Sequence, residues 1–410
     1  MNRPIQSVCV LGRQPALGLA ELESLYGAES LIAVTSHVAG LSLVAEDIDF
    51  GRLGSSTKLA KVLAMVPRSD WNSAEKELIK LARSSALIVP SSGKFHLGLS
   101  AYGFDASPAK LTALGLTLKK IIRSRGVSVR TVPNVEVELN TAQVYHNHLS
   151  DKHGAELLIV RTNDGQTIIA RTVAVQDIDS YTLRDRGRPK RDARVGMLPP
   201  KLAQTIINLA VGQIGADGRW HMVDGETQNP LTILDPFCGT GVVLQEALLM
   251  GYTAYGTDLE PRMVDYSRHN IEWLAAKFEL PDLKLEVGDA TTHTWQLAEV
   301  YVAGETYLGR PFTAPPPHDL LEQTISDTNL ILKKFLVNIH GQLAPKTRLC
   351  LAMPAWFISK QREPRHLPVL NLLNALGYER ISFKHTAAND LVYHREDQIV
   401  GRELVVITKK

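Results

Sequence analysis

Residues 231–242 restrict the possible folds of this chain more than any other stretch. An apolar run from Leu231 leads into Leu234-Asp235-Pro236-Phe237-Cys238-Gly239-Thr240-Gly241, and a helix is expected to open at Val242. A strand that ends on an acid, turns through glycines and continues as a helix is one unit of a doubly wound sheet. Glycine has no Cβ, so backbone at such a turn can approach a ligand closely. The spacing argues against two common ligands. A dinucleotide fingerprint needs a third glycine where Leu244 stands, and a Walker A loop needs Lys-Ser/Thr where Val242-Val243 stand. Asp235 would repel a pyrophosphate and welcome positive charge. S-adenosylmethionine, with its ammonium and sulfonium, is such a ligand, so Asp235, Phe237, Gly239, Thr240 and Gly241 are candidate cofactor-binding residues.

Two further acids extend the pattern. Thr253-Ala254-Tyr255-Gly256-Thr257-Asp258 reads as a second strand ending in a carboxylate, where a ribose diol would lie. Lys284-Leu285-Glu286-Val287-Gly288-Asp289-Ala290 reads as a third, with Asp289 and Ala290 placed to meet an adenine. Either acid alone could be an ordinary loop start. Three acids at the carboxyl edge of one sheet mark a ligand crevice.

The 410 residues suffice for about two or three domains and a substantial core. Hydrophobic content of 44% and charged content of 21% are ordinary for a globular chain. With a net charge of only +2, any nucleic-acid binding must come from a local patch. Cys9, Cys238 and Cys350 have neither metal nor disulfide spacing, so no metal is expected, and the absence of signal and spanning segments leads to the expectation of a cytoplasmic protein with no membrane partner.

Strand and helix patterns alternate through the first half: Ser7–Gly12, Leu17–Tyr26, Lys58–Met65, Ser73–Ser84, Lys94–Ser100 and Ser107–Arg125. A hairpin is expected around Asn163-Asp164-Gly165. The expected division is 1–75 and 76–178 as two α+β domains, 179–198 as a basic linker, and 199–410 as an α/β domain. Pro199-Pro200 should open a helix through Ala210. Between Arg184 and Arg194 stand six cations (Arg184, Arg186, Arg188, Lys190, Arg191 and Arg194) and two acids. The strip reads as either a solvated linker or a phosphate-binding surface.

The string R-D-R-G-R-P-K-R-D-A-R-V-G-M-L-P-P-K-L-A-Q-T-I-I-N-L-A, followed by D-P-F-C-G-T-G, resembles the THUMP-domain-containing tRNA guanine-N2 methyltransferases that act on the guanosine at position ten. L-G-R-Q-P-A-L-G-L-A-E-L-E-S-L-Y-G, F-H-L-G-L-S-A-Y-G and Y-H-R-E-D-Q-I-V-G-R-E-L-V-V-I extend the likeness over nearly the whole chain. The resemblance implies a ferredoxin-like region over 1–75, a THUMP domain over 76–178, and a C-terminal Rossmann-like class I methyltransferase with a seven-stranded, doubly wound sheet. It implies S-adenosylmethionine as cofactor, tRNA as substrate and the N2 amine of a guanosine as acceptor. A small activating subunit is a candidate partner. By position, Asp235, Gly239 and Gly241 would line the methionine end, Asp258 the ribose and Asp289 the adenine.

One departure matters. Such enzymes carry D/N-P-P-Y/F after the fourth strand, because an exocyclic amine needs hydrogen-bond acceptors and a stacking ring to react. Here Ala298–Ala303 is the expected fourth strand, followed by Gly304-Glu305-Thr306-Tyr307. Glu305 and Tyr307 are therefore the candidate catalytic residues, one residue displaced for the acid and without the prolines. The alternatives are a catalytically impaired tRNA-binding protein on the same scaffold, or a DNA or rRNA amino-methyltransferase. His385, His394, Arg395 and Trp356 read as packing residues, and Cys238 lacks a partner to activate it.

Overall fold

The computed structural model describes residues 4–84, 87, 94–192, 197–213, 231–297, 299–312, 314–358, 364–396 and 398–410. They form two units, each with its own sheet. One comprises Met1–Leu19, Ala28–Gly51 and Ser55–Ser180; the other comprises Ala20–Gly27, Arg52–Gly54 and Tyr181–Lys410.

The first unit contains β1 (Ser7–Leu11), the opening residues of α1 (Pro15–Tyr26), β2 (Leu31–Ala33), β3 (Val38–Leu41), β4 (Ser56–Val66), α2 (Trp71–Arg83), β5 (Phe95–Tyr102), α3 (Pro108–Arg123), β6 (Val129–Thr131), α4 (Thr141–His146), β7 (Gly154–Arg161) and β8 (Thr167–Val175). Its eight strands run β2-β3-β1-β4-β8-β7-β5-β6. Leu97, Leu99, Leu157, Ile159 and Ile169 pack on α2 and α3 through Leu78, Leu111, Leu114 and Leu118. Val8, Val10, Leu158, Val160 and Ile168 fill a second cluster. Strands buried on both faces read as continuous apolar runs, which explains why β7 lacks a two-residue alternation. The Asp164-Gly165 turn forms as expected, with Gly165 at φ +83° and Thr162 N–H donating to the Gln166 carbonyl at 3.0 Å.

The sequence-based boundaries need correction here. One sheet runs through both expected N-terminal domains, because β4 pairs with β1 on one edge and β8 on the other. The expected cut at residue 75 falls inside α2. The segment read as a linker opens as a helix, α5 (Ile178–Arg186), and the division between units falls within it.

The second unit continues with α6 (Pro200–Val211), β9 (Thr232–Asp235), α7 (Val242–Leu249), β10 (Thr253–Asp258), α8 (Pro261–Ala275), β11 (Leu283–Val287), β12 (Val300–Glu305), α9 (His318–His340), β13 (Arg348–Trp356), β14 (Tyr378–Arg380), β15 (Val392–Tyr393) and β16 (Val400–Lys409). The sheet order is β11-β10-β9-β12-β13-β16-β14, with β15 beside β16. β9 to β13 are parallel, and β16 runs antiparallel to β13 and β14. This is the α/β, Rossmann-like doubly wound sheet expected from sequence. The order reverses at β9: the chain builds β10 and β11 on one side, then returns to lay β12 on the other. Ligands bind outside the carboxyl ends at such a switch point. Asp235, Asp258 and Glu305 are the last residues of β9, β10 and β12. Beneath them Val302, Leu351, Met353, Phe335, Tyr378 and Val405 form the core. Among the described residues no helix is long and apolar enough to cross a membrane.

Candidate cofactor and acceptor site

The turn after β9 is held by its own backbone. Cys238 N–H donates to the Thr257 carbonyl at 2.9 Å, Gly239 N–H to Asp258 Oδ2 at 2.9 Å, and Gly241 N–H to the Cys238 carbonyl at 2.8 Å. Gly239 and Gly241 have φ of +52° and +82°. At Gly241 a Cβ would also stand 2.9 Å from Ser267 Oγ, so α8 approaches too closely for any side chain. At Gly239 a Cβ would meet nothing nearer than 3.9 Å, leaving the outer side of the turn open.

Asp235 is 1% exposed and Oδ1 accepts the Phe237 N–H at 3.1 Å. Burial pushes its carboxyl well above the usual range, and the charges of Asp258 and Glu305 push it further. Burial also raises Asp258, against the two backbone N–H donors from Gly239 and Glu260 that favour its charged form. Burial disfavours charge on both carboxyls at the carboxyl ends of neighbouring strands, a cost that an arriving cation would relieve and hydroxyl donors would lessen. The ammonium, sulfonium and ribose of S-adenosylmethionine fit that donor set. Phe237 packs edge-on against Phe335 with centroids 5.0 Å apart. Asp289 Oδ1 holds the turn through Thr291 N–H and Oγ at 2.8 Å, and buried Ala290 is anchored by Asn338 through its carbonyl. Leu259, which follows Asp258, is 63% exposed and was not singled out from sequence; an apolar residue next to an acid at a strand end was the available signal.

The expected fourth strand is displaced. β12 begins at Val300 and includes Gly304 and Glu305, whereas the expected start at Ala298 lies outside the described residues. Parallel pairing of Glu305 with Ala352 on β13 extends the strand, and Thr306 N–H continues the ladder to the Ala352 carbonyl at 3.1 Å. A Cβ at Gly304 would lie 2.5 Å from Asp235 Oδ1. The position aligned with the usual catalytic acid is thus glycine beside the carboxylate of β9. Glu305 does not stand free: its Oε1 accepts from Arg402 Nε, reaching across β13 from β16. Burial raises its carboxyl, partly offset by Arg402. No pattern in the sequence paired residues 97 positions apart. Tyr307 is 44% exposed, its ring available for contact.

Trp356 is fully buried in the core, as a packing residue should be. The next residue, Phe357, stacks on His394 at 3.6 Å and 18° between planes. His394 Nε2 donates to the Gln398 carbonyl at 2.6 Å, and the His385 N–H donates to Glu23 at 2.9 Å. Cys238 is 5% exposed and burial raises its thiol, which leaves it inert. Among the described residues no group of three or more His, Cys, Asp or Glu is placed to hold a metal.

The basic strip divides. Arg184 is 8% exposed and its Nε pairs with buried Glu246 at 2.9 Å. Arg188 is 3% exposed. The Lys190 backbone is clasped by Asn270 through two bonds of 2.9 Å, while its Nζ lies over the Tyr266 ring. Arg186 and Arg191 are exposed; Arg194 lies outside the described residues. Arg184 and Arg188 are therefore corrected from surface cations to interior ones.

No protein-family model matches the chain. It is 25% identical over 324 residues to the tRNA (guanine(10)-N2)-dimethyltransferase of Methanothermobacter thermautotrophicus, covering 76% of this chain and 82% of that protein. It is 31% identical over 160 residues to the protein of the same name from Pyrococcus abyssi, covering 39% and 40% respectively. Among solved structures, TrmN from Thermus thermophilus superposes with a TM-score of 0.51 at 16% identity, over 99% of this chain and 100% of that one. The chain is thus homologous to proteins bearing the first name, and the last likeness concerns the fold.

Proposed function

We propose that this protein is an S-adenosylmethionine-dependent tRNA methyltransferase that modifies the exocyclic N2 amine of a guanosine, at position ten as the relatives' names specify. The observation that carries this reading is the convergence of Asp235, Asp258 and Glu305 at the carboxyl ends of adjacent strands around a glycine turn. The bound cofactor supplies an electrophilic methyl on sulfonium. Asp235 would face the positive head, Asp258 would accept from the ribose, and Leu259 with Asp289 would border the adenine.

When bound, the cofactor would give its methyl to the amine nitrogen and leave as the neutral thioether, and the proton that the nitrogen gives up would pass to solvent. Glu305, steadied by Arg402, accepts a hydrogen bond from the amine and orients its lone pair; Tyr307 offers a ring to the base. Most of the acceleration is positioning, because the methyl donor is already activated. In this proposal the first unit grips the tRNA as a THUMP-type module, and the protein acts in the cytoplasm.

The test is reaction of purified protein with unmodified tRNA from its source, followed by nucleoside mass spectrometry. N2-methylated or N2-dimethylated guanosine at one position is the expected result. Binding of S-adenosylmethionine with no methyl transferred would favour the impaired RNA-binding alternative. Transfer that appears only in source extract would call for the activating subunit.

A further inference from the structure

Arg188 is a buried guanidinium left incompletely satisfied by the protein. It is 3% exposed, and Nη1 lies 3.4 Å from Thr240 Oγ1 in the cofactor turn. Nε and Nη2 are buried without a hydrogen-bond partner among the described residues. Its backbone neighbourhood is fixed, because Asn270 bonds both the Lys190 backbone and the Thr240 carbonyl at 2.9 Å. Glu246 is the buried acid of this region, yet its Oε1 is occupied by Arg184 at 2.9 Å and Gln245 at 3.0 Å. Its Oε2 accepts no hydrogen bond among the described residues, so Arg188 feels Glu246, like the adjacent Asp185, through charge alone and donates to neither. A buried charge with idle donors is costly unless an anion arrives to meet it.

The neighbouring helix end points to the same ligand charge. α7 starts at Val242 with Gly241 as its N-cap, and no side chain caps it. Its first N–H groups and the positive end of its dipole favour an anion. Thr240, Arg188's neighbour, immediately precedes that cap. Asp235, the acid of the same turn, takes the opposite charge.

We infer that Arg188 holds the carboxylate of the cofactor's methionine moiety, so that the two charges of the amino-acid head are read by Asp235 in the turn and Arg188 beside it. The inference rests on S-adenosylmethionine being the cofactor. It removes Arg188 from the RNA surface and makes it a cofactor-binding residue. It also gives a reason for the basic strip to fold inward at residue 188 while Arg186 and Arg191 face solvent.

Calorimetric titration of the full chain with three ligands tests it: S-adenosylmethionine, its decarboxylated form, and 5′-methylthioadenosine. The wild type should prefer S-adenosylmethionine over the decarboxylated form by about 10- to 100-fold, the range of a charge-assisted pair. In Arg188→Met that preference should collapse while methylthioadenosine affinity stays within about threefold, reporting an intact adenosine pocket. Arg188→Lys should retain part of the preference, and it decides the matter if the methionine variant fails to bind methylthioadenosine. An undiminished preference in a variant that still binds methylthioadenosine overturns the inference and leaves Arg188 as a countercharge for Glu246. A wild type that binds none of the three ligands would instead refute the cofactor assignment.

Discussion

Two buried sites, the Lys58–Glu156 network of the first unit and the Asp235–Arg188 neighbourhood of the second, handle charge in opposite ways. In the first, Lys58 and Glu156 are 2% and 0% exposed and lie 2.5 Å apart. Lys58 also donates to the Leu139 carbonyl at 2.7 Å, and Glu156 accepts from Ser100 and Thr172 at 2.6 Å each. The network ties β4, β5, β7 and β8 together with its ionic groups mutually satisfied. In the second unit, Asp235 and Arg188 are also buried, yet neither is in a hydrogen-bonded ion pair among the described residues; Asp185 and Glu246 act on Arg188 only through charge. A satisfied buried pair holds a fold in register; an unsatisfied one is a place for a ligand.

The largest effect should separate these two roles. Lys58→Met leaves Glu156 buried without its cation and should cost about 3–5 kcal/mol of stability. Denaturant unfolding would show it as a lower midpoint, while the folded fraction keeps its cofactor affinity. Arg188→Met should show the reverse pattern, little stability lost and carboxylate recognition gone. Equal stability losses in both variants would break the comparison.

Next in size is Asp235→Asn, which should weaken S-adenosylmethionine binding by about 10- to 100-fold, as expected for one charge-assisted contact. Its pH dependence has a definite sign. Burial raises the folded-state pKa of Asp235 above its unfolded value, so the folded protein holds a proton that the unfolded chain has released. The stability linked to that proton is complete below the ordinary aspartate range and is lost as pH rises through the raised value. Asp258 and Glu305 shift the same way. A cationic ligand favours ionised Asp235, so cofactor affinity should rise over the same interval with proton release. The Asp235→Asn variant, which has no proton to lose at this position, should flatten its own share of both trends. A calorimetric proton-release measurement in buffers of different ionisation enthalpy checks this; identical release by wild type and variant would remove Asp235 from the account.

The contrast between the units also explains what could be read from sequence. The acids at strand ends and the glycine turn are local, and both strand and turn chemistry write themselves into consecutive residues. Thr253–Asp258 forms the expected strand, and Val242 opens the expected helix. Burial of an arginine is not local. Arg184, Arg186 and Arg188 look alike in sequence, and it is Glu246 and Thr240, 62 residues from Arg184 and 52 from Arg188, that draw two of them inside. The same holds for Arg402, whose reach to Glu305 depends on β16 lying beside β13. The α5 helix escaped notice because its segment is polar and lacks an apolar stripe.

A smaller change should separate the acceptor from the donor side. Glu305→Gln removes the charge but keeps the side-chain length, and turnover should fall by about tenfold with cofactor affinity unchanged. A fall in cofactor affinity instead would assign Glu305 to the donor side with Asp235. Gly304→Ala should impair both, because the added Cβ meets Asp235 Oδ1.

The smallest effect belongs to the exposed cations. Arg186 and Arg191 face solvent, so removing either should leave folding and cofactor binding intact. If they touch the tRNA backbone, each loss lowers the slope of log affinity against log salt by about 1. Arg184 provides the control within the same strip: its guanidinium is committed to Glu246, so Arg184→Met should lower stability and leave the salt slope unchanged. Filter binding of tRNA over a salt series, run beside thermal unfolding, reads both quantities. A salt slope that falls for Arg184→Met but not for Arg186→Ala would reverse the division of the strip into interior and surface cations.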